Sequence, residues 1–438
     1  MHLGGLVSRW VESHRVGRPW PPPGGGGVEP FFMRVALLTH EPFYPPSGGG
    51  SAEALYQVRE LVWRGHAVTV FAPVSEVPAE LAATGRVRLE PFTGWAMGRR
   101  THLRTLKYLL YPGALARLVR RAAARERFDV LVAQHAIACV AAGRLKRPLR
   151  VPVVMNFLDH LTGFMETWPA WLMPPPLLAV LKRYELNLPR RFAADAVLTV
   201  SEPLADRFAA TGYPRERLRP IFYGYDAEWF RFDPAQVEAR GQVPPVVVMH
   251  GSFDHHHLGP IALDTVARVR AERPDVVFEF IGPDTPAWRR FARQAAARGL
   301  APALRHTGFV PYEAIAERLG TATVGLVPYE ESAGTHCAFV AKVVEYLALG
   351  LPVACTALEG LRRYFANEPL IKFAPFDGAA LGEAVLAWLA EPAAARARLA
   401  GPAARRVREE LDWRVVCGRA ADAIEIAHQR AATAGANS

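Results

Sequence analysis

Lys342-Val343-Val344-Glu345-Tyr346-Leu347-Ala348-Leu349-Gly350-Leu351-Pro352-Val353 reads as an apolar helix that stops at Gly350 and turns into a strand at Pro352. Lys342 and Glu345 are three positions apart and so share one helical face. Gly334, Thr335 and His336 lead into this helix. Free N–H groups at a helix N-terminus, together with an ammonium, suit a diphosphate. A carboxylate one turn further on can accept hydrogen bonds from both vicinal hydroxyls of a ribose. The competing reading is a solvated i,i+3 ion pair, the usual fate of such a pair on a surface helix.

Working outward, short apolar runs alternate with helical patterns over most of the chain. Strands are predicted at Val35–Thr39, Ala67–Phe71, Asp129–Gln134, Val151–Phe157 and Ala196–Ser201. A second series falls at Val246–His250, Val276–Ile281, Leu304–Gly308, Val324–Pro328 and Pro352–Cys355. Strands alternating with helices predict parallel sheets covered on both faces, an α/β class with two Rossmann-like domains facing across a cleft. The expected division is a disordered leader at 1–32, rich in Pro and Gly, and an N-terminal acceptor-binding domain at 33–225. A linker at 226–244 and a C-terminal nucleotide-binding domain at 245–410 follow. A last helix at 411–438 is expected to pack partly on the N-terminal domain.

Of the chain's formal charge of +10, a local +8 lies between Arg99 and Arg127, where nine basic residues face Glu126 alone. Arg99, Arg100, Arg104 and Lys107 open this cluster, which is interleaved with leucines and tyrosines as in amphipathic helices that lie on anionic membranes. An ordinary surface helix with a solvated basic face is the alternative. Trp168-Pro169-Ala170-Trp171-Leu172-Met173 adds aromatic groups able to sit at headgroup level, or to form a buried loop. No nucleic-acid recognition motif accompanies the basic cluster, so nucleic acid is not an expected partner. The four cysteines are scattered and form no metal-type pair, which fits a reduced cytoplasmic protein. No apolar run reaches bilayer length, so membrane association is expected to be peripheral.

The Lys342–Val353 segment resembles the donor-binding signature of GT-B glycosyltransferases, especially glycosyltransferase family 4 and its relatives. Three further stretches resemble that family: the glycine loop around Gly49 and Gly50, the strand ending at Ser201, and the linker Tyr223-Gly224-Tyr225-Asp226 with Phe230. The resemblance implies sugar transfer from a nucleotide-diphosphate sugar, and the basic and aromatic segments point to a lipid-linked or membrane-associated saccharide acceptor in polysaccharide or glycolipid synthesis. Glu345 would hold the ribose and Lys342 the diphosphate, with Gly334, Thr335 and His336 closing over phosphates and donor sugar. Gly251 and Ser252, after the first strand of the second domain, would adjoin the phosphates, and Tyr329 would stack on or flank the base. No cofactor or metal is expected, the nucleotide sugar being a substrate.

Two departures stand out. Many relatives carry a second glutamate eight positions before the ribose-binding one, and here that residue is Cys337; Glu330 or Glu331 replaces it only if the loop folds back. The phosphate loop after the first strand of the second domain reads Gly251-Ser252-Phe253-Asp254-His255-His256-His257 without Arg or Lys. Successive histidines point in different directions and chelate a metal poorly.

In the N-terminal domain His135 and Asp159 follow strands on the ligand side. Asp159 is the expected base for an inverting transfer. If configuration is retained, as the resemblance implies, the leaving phosphate takes the proton, and Asp159 and His135 orient the acceptor. A nucleotide-sugar epimerase and a non-catalytic nucleotide-sugar-binding partner of a transferase are the alternative functions.

Overall fold

The computed structural model describes residues 32–46, 48–73, 75–92, 104–240 and 244–436; the leader expected at 1–32 lies outside them except for Phe32, as do Arg99, Arg100 and part of the linker. Seven parallel strands form the first sheet: β1 (Arg34–Leu38), β2 (Ala67–Pro73), β3 (Val87–Phe92), β4 (Val130–Gln134), β5 (Val153–Phe157), β6 (Ala196–Thr199) and β7 (Leu218–Pro220). Their order is β3-β2-β1-β4-β5-β6-β7. The second sheet holds β8 (Val246–His250), β9 (Val277–Ile281), β10 (Leu304–Gly308), β11 (Val324–Val327), β12 (Val353–Thr356) and β13 (Ile371–Ala374), in the order β10-β9-β8-β11-β12-β13.

The two sheets share one build. In each, the chain runs outward from its first strand and then crosses to that strand's other side, so the order reverses between β1 and β4 and again between β8 and β11. The crevice beyond the carboxyl ends at such a reversal is where open parallel sheets take their ligands. Strands β4, β5 and β6 are buried along their whole length, which parallel sheets covered on both faces require and which their near-continuous apolar sequences supply. Polar side chains break these runs at the carboxyl edge: Gln134, Asn156 and His250 are all buried there.

The edge strands β3, β7 and β13 were not expected from the sequence. Each is partly exposed; β7 and β13 are too short to establish a period, and the alternation in β3 runs only over Val87-Arg88-Leu89-Glu90 before Pro91.

The chain crosses between domains twice. Tyr225 pairs with Asp412 in an isolated parallel bridge, and Trp413 stacks on Tyr56 with ring centroids 5.4 Å apart. The helix Trp413–Ala436 then packs on the first helix, Gly49–Trp63. There Arg64 meets Asp422 at 2.6 Å and Glu425 at 3.1 Å.

Candidate active site

The helix Ala341–Ala348 carries Lys342 and Glu345, both buried, toward the end of β8. Glu345 Oε2 lies 2.5 Å from His250 Nε2. Tyr346 OH lies 3.2 Å from both His250 Nδ1 and the Val248 carbonyl. The Glu345 carboxylate can only accept, so His250 donates to it from Nε2, while the single Tyr346 proton goes to the Val248 carbonyl.

Lys342 Nζ donates to Tyr329 OH at 3.1 Å and sits 5.4 Å from the centre of that ring. Burial pulls its ammonium down from 10.5 to about 8, and the Glu345 carboxylate only partly offsets this. Directly opposite is Gly251, whose φ of +111° disfavours any side chain; a Cβ there would stand 3.2 Å from Lys342 Cε and Nζ. The ammonium therefore faces bare backbone at the end of β8, and the chain supplies it no phosphate-like charge of its own.

The other donor-side candidates take less direct positions. Tyr329 is 3% exposed, with its hydroxyl also 3.0 Å from His257 Nε2, so it supports Lys342 from beneath instead of presenting a face to a base. Gly334, Thr335 and His336 form a short helix, Ala333–Cys337, where a closing loop was expected. Thr335 is committed to a capping box: its N–H donates to Ser332 Oγ at 3.0 Å and its hydroxyl accepts from Ser332 N at 2.8 Å. His336 Nε2 turns to Glu331 at 3.3 Å, and Ser252 is exposed.

Cys337 is buried, its carbonyl accepting from Ser201 Oγ of the N-terminal domain at 2.6 Å. Glu330 caps another helix by accepting from Ile261 N at 2.9 Å, which commits it away from the missing glutamate's place. The three histidines take different partners: His255 pairs with Arg290, His256 packs on Phe164 and His257 bonds Tyr329, although the rings of His256 and His257 lie 3.9 Å apart. Among the described residues no group of three or more His, Cys, Asp or Glu is gathered as a metal site would need.

Across the cleft, His135 follows β4 with φ +65°, its ring 4.9 Å from His40. A Cβ on Gly50 would lie 2.6 Å from His135 Nε2 and 2.5 Å from Glu41, and one on Gly49 would lie 2.0 Å from Tyr223 OH. The glycine loop is thus shaped by direct approach of these groups. Asp159 is half-buried after β5. Burial chiefly raises the phenols of Tyr223 and of Tyr329 in the C-terminal domain, and the negative charge of Asp159 adds to both.

Sequence reasoning missed a buried network behind this loop. Gln134 Nε2 donates to Gly50 O at 2.8 Å and to Glu53 Oε2 at 2.5 Å, while Asn156 Nδ2 donates to Glu53 Oε1 at 2.7 Å. Burial drives the Glu53 carboxyl up to about 7, against the lowering pull of the two amides. The available signal was an amide near the end of each of two otherwise apolar strands.

Trp168 packs partly on Met165, Met173 and Leu178, whereas Trp171 is 82% exposed. Arg104 and Lys107 begin the helix Arg104–Ala123.

Residues 47–229 match the family described as Glycosyltransferase Family 4, and residues 244–391 match Glycosyl transferases group 1. Between them they take in most of both domains. The chain belongs to the GT-B glycosyltransferases. Solved structures share the fold over nearly the whole chain. Sucrose-phosphate synthase from Thermosynechococcus elongatus is 17% identical with a TM-score of 0.70, covering 89% of this chain and 98% of its own. Anabaena HepE in complex with UDP-glucose is 19% identical, covering 90% of this chain and 99% of its own at a TM-score of 0.66. WaaG, a glycosyltransferase involved in lipopolysaccharide biosynthesis, is 17% identical at 0.62, covering 89% and 99%. No curated protein sequence matches. This transferase therefore shares an architecture with glycosyltransferases whose sequences have diverged widely from its own.

Proposed function

We propose that this glycosyltransferase takes its sugar from a uridine diphosphate carrier and delivers it to a lipid-linked or membrane-associated saccharide. The observation that carries the donor half is the pairing of a buried, partly neutralised Lys342 ammonium with Glu345 one turn along the same helix face. A diphosphate against Lys342 would restore the charge that burial disfavours, and a ribose against Glu345 would meet a carboxylate already positioned by His250. HepE in complex with UDP-glucose makes uridine the first nucleotide to test.

In the transfer, the bond between the anomeric carbon and the phosphate oxygen breaks while an acceptor hydroxyl oxygen bonds to that carbon. The hydroxyl proton passes to the departing diphosphate if configuration is retained, or to Asp159 if it is inverted. The acceptor half is supported by the helix Arg104–Ala123, which buries Leu115, Val119 and Ala122 and exposes Arg117, Arg120 and Arg121. Among the described residues no helix is long and apolar enough to cross a membrane, so the contact would be with the surface.

Calorimetry with UDP, GDP, ADP and CMP against wild type and Glu345→Ala tests the donor. Selective UDP binding, weakened in the variant, is the expected result, and equal or absent binding of all four overturns it. Transfer of labelled sugar into a detergent-solubilised lipid extract tests the acceptor, and the product's anomeric configuration settles where the proton goes.

A further inference from the structure

An exposed apolar stripe lies on a segment the donor site does not use. In the helix Pro175–Leu186, Leu177, Val180 and Tyr184 are 48%, 65% and 39% exposed. They recur at i, i+3 and i+7, so they form one outward stripe. Trp171 and Leu172 extend it from the preceding turn at 82% and 49%. The adjoining flank of this helix is already packed, with Leu178 and Leu181 set on Met165 and Met173. An apolar stripe of this size left facing water marks an interaction surface.

Its surroundings are cationic. Arg183, Arg190 and Arg191 are exposed beside it. The short helix Leu188–Arg191 packs on His135–Leu149, which exposes Arg144 and Arg147, and that helix in turn packs on the basic helix Arg104–Ala123. The nearby carboxylates are already engaged: Glu185 is buried, Asp195 pairs with Lys146 at 2.7 Å, and Glu166 pairs with Lys182. A stripe of tryptophan, leucine, valine and tyrosine rimmed by unneutralised arginines is complementary to an anionic bilayer, apolar within and negative at its surface.

The inner side of the same helix holds the catalytic cleft. Glu185 accepts from Leu161 N at 3.0 Å and Thr162 N at 2.8 Å, fixing the loop that begins with Asp159. Glu166, paired with Lys182, also accepts from Ala333 N at the start of the helix bearing Gly334.

We propose that this face docks on an anionic lipid bilayer, with Trp171, Leu172, Leu177, Val180 and Tyr184 entering the boundary between headgroups and acyl chains, and that Glu185 ties the acceptor loop to the docked helix. The proposal rests on the membrane-associated acceptor only for its purpose, since binding itself requires no saccharide.

The test is flotation of the full chain with phosphatidylcholine vesicles, with and without phosphatidylglycerol and free of any saccharide lipid. Wild type is expected to float with the anionic vesicles, less so as salt rises. The double variant Leu177→Ser with Val180→Ser should lose about tenfold or more of that binding, while keeping its melting temperature and its transfer to detergent-solubilised acceptor. Emission from Trp171, isolated by difference against Trp171→Phe, should shift blue on vesicle addition. Wild type left in the soluble fraction, or a double variant that floats as well as wild type, overturns the proposal. So does sedimentation showing a wild-type dimer that the double variant abolishes, because the stripe would then be a self-interface. Flotation without transfer to any lipid acceptor would refute the acceptor reading and leave docking standing.

Discussion

Glu345 and His250 meet at 2.5 Å between a helix and the end of the strand that opens the second sheet. The carboxylate is thereby fixed in place at the end of that strand. Removing it in Glu345→Ala should weaken UDP by roughly 10- to 100-fold, the worth of one or two hydrogen bonds to a charged group. 2′-Deoxy-UDP should lose less on the same substitution, because it lacks one of the two hydroxyls; calorimetry on both ligands checks this.

Lys342 makes nucleotide binding depend on pH. Its ammonium is lowered to about 8 in the free protein, and an adjacent diphosphate would raise it again. Above pH 8 the free protein must therefore take up a proton to bind. UDP affinity should fall by up to about tenfold per pH unit through this range. Lys342→Met should bind weakly and without that slope, as titrations at pH 7, 8 and 9 would show.

Glu53 should affect stability in the opposite pH direction from an ordinary paired carboxylate. Its value rises from 4.5 to about 7 on folding, so between those limits the folded chain holds more protons than the unfolded one. Stability is lost as pH rises through this window, by roughly 3 kcal/mol at most for such a shift. Since Glu53→Gln cannot ionise, its melting temperature relative to wild type should climb from pH 5 to pH 8, whichever protein is more stable at the start.

Gly163 and Gly334 bring the two domains together backbone to backbone. A Cβ on Gly334 would stand 2.3 Å from Phe164 N, and one on Gly163 would stand 2.5 Å from Gly334 N. Neither neighbour is a flexible side chain that can move aside. Gly334→Ala should cut transfer by at least about tenfold through misplacement of the cleft walls, with unchanged circular dichroism because the clash lies between domains and not within either core.

The alternation of β4, β5 and β8 with their helices was legible because buried parallel strands are written as apolar runs broken only near their carboxyl ends. Lys342 and Glu345 were legible because three-residue spacing fixes a shared face. Gly334 to His336 misled, since Ser332 and Thr335 close a capping box that winds a helix where a loop was expected. The Glu53, Gln134 and Asn156 network escaped because its members lie 81 and 103 positions apart and meet only once the sheet has formed. Trp171 was marked by its residue type, but Leu177 and Val180 were not, because an outward apolar stripe and an inward one look alike in sequence.

The helix Trp413–Ala436 covers the first helix of the N-terminal domain, yet it is synthesised after the whole C-terminal domain. A ribosome that has just released β13 therefore holds an N-terminal half in which Tyr56 still lacks Trp413, and Arg64 still lacks Asp422 and Glu425. That half reaches its finished surface only when the nascent chain doubles back. Completion of the first domain thus waits on synthesis of the second, and a chain stopped just ahead of Trp413 would keep the second sheet yet lose this cover on the first.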